Sequence, residues 1–104
     1  MRKKSILQED ENICKICGSY RSSSNPLEMH HVFGGFKYNK KASEKYKLVV
    51  YLCVPCHRTG EQAVHRPGSN DNADRLHKEG QQAFEANYGT REYFKSIFGK
   101  NYLD

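Results

Sequence analysis

Cys14-Lys15-Ile16-Cys17 and Leu52-Cys53-Val54-Pro55-Cys56-His57 are the stretches on which the fold turns. Each holds a CxxC, a spacing that lets two thiolates on one tight turn reach an ion about 2.3 Å from each sulfur. Two such pairs complete a tetrahedron, so Cys14, Cys17, Cys53 and Cys56 are read as ligands of one structural Zn2+. Buried free thiols or a redox CxxC are the plain alternative, but neither explains two pairs. A closed four-cysteine site has no open position, so this zinc folds the chain and does no chemistry. The interval between the pairs is longer than in a simple zinc ribbon, so a further element is inserted there.

The bulk composition suits a metal staple. The 104 residues give room for one domain. Only 37% of them are hydrophobic and none is Trp, which makes a marginal core. A net charge of +5 suggests an anionic partner, of which nucleic acid is the commonest. No run approaches the roughly 18 apolar residues of a membrane span, so no membrane partner is expected. Arg2, Lys3 and Lys4 open the chain, but Ile6 and Leu7 meet the polar run 8–12 at once, which leaves no signal-peptide core. A cytoplasmic location is expected, where thiols stay reduced and four cysteines bind metal rather than pair.

Working outward, residues 1–12 read as a charged tail or short helix, 13–68 as the zinc core and 69–104 as helices packed on the same domain. Residues 27–33 alternate loosely, as a strand does. Gly34-Gly35 follows as a turn or bulge. The lysine-rich stretch 36–47 reads as an exposed loop, and Leu48-Val49-Val50-Tyr51-Leu52 as a second strand. Pro55 is a place for a helix to begin, and Gly60 and Arg66-Pro67-Gly68 break it. Asn70 or Asp71 caps a helix reaching about Tyr88, with Ala73, Leu76, Gly80, Ala83, Phe84 and Tyr88 on one face. Thr90 caps another, with Tyr93, Phe94, Ile97 and Phe98 as its apolar stripe. Both stripes are read as core. The expected class is small α+β.

The histidines fall next to this frame. His30-His31 ends the first strand, where neighbours point to opposite faces. One imidazole can bind a metal while the other faces a water. His57 abuts Cys56, so a folded zinc site fixes its direction. His65 lies eight residues on, which is about 12 Å of rise on one unbroken helix. Either Gly60 breaks that helix and returns His65 to the metal, or His65 is no ligand. His77 reads as an ordinary surface or satisfied polar residue.

Taken in order, CxxC, Glu28-Met29-His30-His31, Gly-Gly, Leu52-Cys53-Val54-Pro55-Cys56-His57 and His65 resemble the HNH endonucleases. The match spans about residues 14–65, and the 70–104 tail looks like that of small phage-encoded members. The resemblance implies a ββα-metal (His-Me finger) core with a treble-clef-like zinc site of four cysteines, followed by C-terminal helices. It makes His30, His57 and His65 ligands of a catalytic divalent ion and His31 the general base. Seven residues separate His57 from His65 where many members have three, and Leu48 stands where many have Asn.

The activity implied is hydrolysis of DNA phosphodiester bonds to 5′-phosphate and 3′-hydroxyl ends, in a phage or mobile-element setting inside a bacterial host. The ion implied is Mg2+, Mn2+, Ni2+ or Zn2+, and three imidazoles favour the softer ions over Mg2+. Lys37, Lys40, Lys41, Lys45 and Lys47, with Tyr38 and Tyr46 interleaved, read as a grip on the nucleic-acid backbone. Arg58 and Arg66 flank the ligands and are read as phosphate contacts. The DNA form, duplex, branched or single-stranded, stays open. Two other functions compete: a non-catalytic zinc-finger-like module that binds DNA or RNA, and a structural partner in a phage complex docking through its C-terminal helices.

Overall fold

A computed structural model describes residues 4–34, 37–60, 63–65 and 71–103 of the chain. The elements in order are strand β1 (Leu27–His31), helix α1 (Lys37–Lys45), strand β2 (Val49–Cys53), a single π-helical turn (Pro55–Thr59), helix α2 (Asp71–Asn87) and helix α3 (Arg91–Phe98). This is the small α+β class that the sequence predicts.

β1 and β2 pair antiparallel, with His31 opposite Val49, His30 opposite Val50 and Leu27 opposite Cys53. Every residue of β2 is buried. That explains its unbroken apolar run, since a strand covered on both faces has no polar alternation. β1 is covered less, and its Glu28, Met29, His30 and His31 are half-buried. The pair therefore sets a fully covered strand beside a more open one.

The reading of 36–47 as an exposed loop is overturned, because α1 occupies that stretch. Its lysines Lys40, Lys41 and Lys45 are exposed, while Ala42, Ser43 and Tyr46 are buried. A helix this short is marginal alone and takes its stability from docking. Ser43 supplies the dock: its hydroxyl accepts from the Phe33 N–H (3.2 Å) and donates to the Phe33 carbonyl (3.0 Å). α1 closes at Lys47, whose φ of 61° lies in the left-handed region. The Leu48 N–H then donates back to the Ser43 carbonyl at 2.7 Å, the long bond of a Schellman-type ending.

α2 and α3 follow the sequence closely. Asp71 opens α2 with Asp74 in its first turn, where acidic residues suit the helix dipole; Asn70, the other cap candidate, lies outside the described residues. The Thr90 hydroxyl accepts from the Tyr93 N–H at 3.1 Å, and Gly99 ends α3 at φ 80°. The expected stripes need one correction. Leu76, Gly80, Phe84, Phe94 and Phe98 are buried, but Tyr88 and Tyr93 are 39% and 46% exposed. Tyr93 instead meets Tyr46 hydroxyl to hydroxyl at 3.0 Å. Gln81, unremarked in the sequence, is fully buried.

The core is aromatic in place of the missing Trp. Phe33, Phe84 and Phe94 are its largest fully buried side chains, with ring centroids 5.1 Å (Phe33–Phe94) and 5.4 Å (Phe84–Phe94) apart in edge-to-face contacts. Gly80 lets α2 approach this cluster: a Cβ there would stand 2.9 Å from the Phe33 ring and 3.0 Å from Val32. The residues just after His31 are thus clamped between α1 and α2.

The described part of the N-terminal stretch, residues 4–12, forms no helix. It is tied down by the Ile6 N–H donating to the Lys47 carbonyl at 3.0 Å and by the Tyr51 N–H donating to Gln8 Oε1 at 2.9 Å. Ile6 and Leu7 pack against the core. No described helix is long and apolar enough to cross a membrane.

Candidate metal centres

The first centre is built by two backbone turns brought together across β2. Gly18, at φ 78°, folds the first CxxC into a tight knuckle, with the Gly18 N–H donating to the Cys14 carbonyl (2.9 Å) and the Cys14 N–H to the Ser19 carbonyl (2.8 Å). The Lys15 N–H donates to the Tyr51 carbonyl at 2.9 Å, which fastens the knuckle to β2. Cys53 ends β2 and Cys56 sits in the π-turn that Pro55 starts.

Cys14, Cys17, Cys53 and Cys56 place their sulfurs within 4.8 Å of one another. Cys17 and Cys53 Sγ are 3.7 Å apart, close to the edge of about 3.8 Å that a tetrahedron of Zn–S bonds near 2.3 Å requires. The four-cysteine cluster read from the sequence is therefore assembled, and it can hold a metal such as zinc. Burial pushes the Cys53 and Cys56 thiols up. The Cys17 thiol is instead lowered to about 6, chiefly by its hydrogen bond with Ser19. Four thiolates this close repel unless a cation joins them, which is the chemistry of a structural zinc site.

The second centre draws on the same π-turn, which carries His57 next to Cys56. His30, His57 and His65 present ligand nitrogens within 4.8 Å of one another. Ring centroids are 5.2 Å (His30–His57), 4.9 Å (His30–His65) and 4.5 Å (His57–His65) apart. The chain returns His65 after Gly60, as one of the two sequence readings required. The Val64 N–H donates to the Cys56 carbonyl (2.9 Å) and the His65 N–H to the His57 carbonyl (3.2 Å), so the strap lies alongside the π-turn.

All three rings suit a cation in the middle. Burial, with the neighbouring histidines, lowers His30 to about 3, and burial first also lowers His65. Neutral imidazoles keep a lone pair for a metal. His57 donates from Nδ1 to Glu28 Oε1 at 2.8 Å, while its Nε2 is buried without a hydrogen-bond partner among the described residues. A buried ring nitrogen without a partner, turned to two other imidazoles, fits a metal ligand. The carboxylate behind it sets tautomer and direction. Glu28 is itself gripped by Arg58, through Nε (3.0 Å) and Nη2 (2.7 Å). The His57 hydrogen bond first, and Arg58 next, hold the Glu28 carboxyl below its usual range.

His31 is not part of the trio. It lines the same open cleft of about 560 Å³ as His30, His57, His65 and Lys40. Its Nε2 stands 2.8 Å from Glu44 Oε2 of α1. His77 borders this cleft too, stacked on Phe33 (5.6 Å) and against Tyr102 (4.5 Å), in keeping with its reading as a satisfied residue.

The proposed nucleic-acid contacts divide. Lys40 reaches the cleft, whereas Lys41 and Lys45 border a separate groove with Tyr38 and Ile97. Lys47 is exposed at the end of α1. Arg58 commits one edge of its guanidinium to Glu28 and is 57% exposed. Arg66 and the Lys37 side chain lie outside the described residues.

Two carboxylates escaped the sequence reading. Glu28 carried a signal, because residues two apart on a strand share a face and His30 is its neighbour there. Glu44 carried none while its segment read as loop. No family model, no curated protein and no solved structure matches this chain. What fold and site define together is a small α+β protein with a four-cysteine cluster and a three-histidine cluster that share one π-turn.

Proposed function

We propose that the chain is a metal-dependent endonuclease of the HNH type that hydrolyses DNA phosphodiester bonds. The observation that carries this reading is the cleft itself. It sets a three-imidazole cluster beside a fourth imidazole, His31, that is no member of the cluster. A purely structural metal site has no use for that neighbour. In this reading β1, β2 and the π-turn are a ββα-metal finger whose final α element is reduced to the π-turn, and the cysteine cluster is its zinc support.

His30, His57 and His65 would hold a divalent ion, which would supply positive charge beside the phosphate oxygens. The chain's own groups do the rest. His31, neutral, takes a proton from water. The water oxygen bonds to phosphorus, the P–O3′ bond breaks, and the 3′ oxygen takes a proton from solvent. Arg58 and Glu28 hold His57 in place, and Lys40 meets the backbone at the cleft. Any bacterial or phage setting follows only from this assignment.

The exposed lysines of α1, which need no metal, favour a second reading: a DNA- or RNA-binding module that does not cut. Supercoiled plasmid incubated with the protein and Mg2+, Mn2+, Ni2+ or Zn2+ separates them. Nicking that falls roughly 10²–10⁴-fold in His31→Ala supports the nuclease. Equal nicking by both proteins, or binding with none, leaves the module.

A further inference from the structure

We propose that Glu44 is the positioning residue for His31, an inference that rests on the nuclease reading above. The contact is a short hydrogen bond, His31 Nε2 to Glu44 Oε2 at 2.8 Å. An ionised carboxylate only accepts, so Nε2 carries the hydrogen. Nδ1 is then left with its lone pair, which is the form a base needs to take a proton from water. When it does, the imidazolium that results faces a carboxylate across the ring, the arrangement that orients histidine bases in hydrolases.

Both ends of the bond are fixed by the fold. His31 ends β1 opposite Val49. Glu44 follows Ser43, whose hydroxyl is bonded to both the N–H and the carbonyl of Phe33, two residues beyond His31. The helix carrying the carboxylate is thereby locked to the strand carrying the base. Both side chains are largely shielded, with 20% of His31 and 32% of Glu44 exposed. Shielding strengthens the bond and limits competition from water. Leu48, at the position where many members of the resembling family have Asn, is fully buried in the core and its side chain offers no polar atom. The orienting group comes instead from the helix inserted between the strands.

The test uses full-length protein loaded with zinc at both centres for spectra and with the most active ion for kinetics. Histidine side-chain 15N–1H NMR reads the tautomer directly. The expected result is an Nε2–H form of His31 in wild type that is lost in Glu44→Ala. Single-turnover cutting by Glu44→Ala should be roughly 100-fold slower, as for a misdirected base. DNA affinity and the two-ion stoichiometry should be unchanged, and Glu44→Gln, which keeps an acceptor oxygen, should restore most of the rate. Adding Glu44→Ala to His31→Ala should slow cutting no further, because the two act as one unit. An Nδ1–H form in wild type, wild-type rates in Glu44→Ala, or multiplying effects in the double variant would overturn the proposal while leaving the nuclease reading in place. A wild-type protein that cuts nothing with any ion overturns both.

Discussion

Glu28 Oε1 lies 2.8 Å from His57 Nδ1, and the same carboxylate is forked onto Arg58. That arrangement turns His57 so that Nε2 joins His30 and His65. Glu28→Ala should weaken the ion at the three-histidine centre roughly 10- to 100-fold, the usual effect of removing a partner behind a metal ligand. The four-cysteine ion should stay. Metal competition titrations on wild type, Glu28→Ala and Glu28→Gln check this, and equal affinities in all three would show that Glu28 does not orient His57.

Loading the cysteine centre should release protons, and the sign follows from the thiols. A thiol whose pKa is raised keeps its proton at neutral pH. Burial raises Cys53 and Cys56, so both hold their protons at pH 7 and give them up to zinc. Cys17, lowered to about 6, is already largely ionised there and gives little. Zinc affinity should therefore fall as pH drops. Calorimetry of zinc binding in buffers of different ionisation enthalpy measures the release, and a buffer-independent heat would contradict it.

The two centres should also depend on each other. Cys56 and His57 are consecutive in one π-turn, and the strap bearing His65 is bonded to the carbonyls of those same two residues. An ion on the cysteines orders the turn before the histidines need it. Cys56→Ser should then weaken the histidine centre as well as its own, and by linkage the effect is reciprocal. Visible spectra of Co2+ added stepwise distinguish thiolate from imidazole sites, and an unaffected imidazole site in Cys56→Ser would refute the coupling.

Gly80→Ala sets two effects against each other. Alanine favours a helix interior by about 1 kcal/mol. The added methyl, however, meets the Phe33 ring at 2.9 Å and Val32 at 3.0 Å, both in fully buried side chains. Overpacking of that kind costs roughly 1–3 kcal/mol. The net expectation is a loss of about 1 kcal/mol, or some 4–8 °C in melting temperature for a chain this size. A higher melting temperature of the zinc-loaded variant would mean that α2 slides to make room.

The four-cysteine and three-histidine clusters were legible because their chemistry is local. A CxxC is a turn, and His57 is fixed by the cysteine before it, whereas His30 and His31, expected on opposite faces of the strand, line one cleft. The α2 and α3 stripes and the Thr90 cap were legible for the same reason. What escaped depends on tertiary docking. α1 reads as loop because five of residues 36–47 are Lys, and its helix depends on Ser43 finding Phe33. With α1 unseen, Glu44 had no direction. Gln81 escaped because a buried amide is recognisable only by its partners, here Glu85, Asn101 and the Tyr102 N–H.

Finding α1 also changes what its lysines are expected to do. On a loop all five would adapt to a phosphate backbone together. On a helix, Lys40 faces the cleft while Lys41 and Lys45 face the groove toward α3. Each phosphate contact contributes roughly 0.9 to the slope of log K against log salt for duplex DNA. Lys40→Gln should therefore lower the slope by about that amount. Arg58→Gln should change the slope little, because its guanidinium is engaged by Glu28, and should act instead through the ion at the histidine centre. Salt titrations of DNA binding with the His31→Ala protein as background give both values without cutting. If Arg58→Gln lowers the slope as much as Lys40→Gln, the guanidinium leaves Glu28 for phosphate when DNA binds.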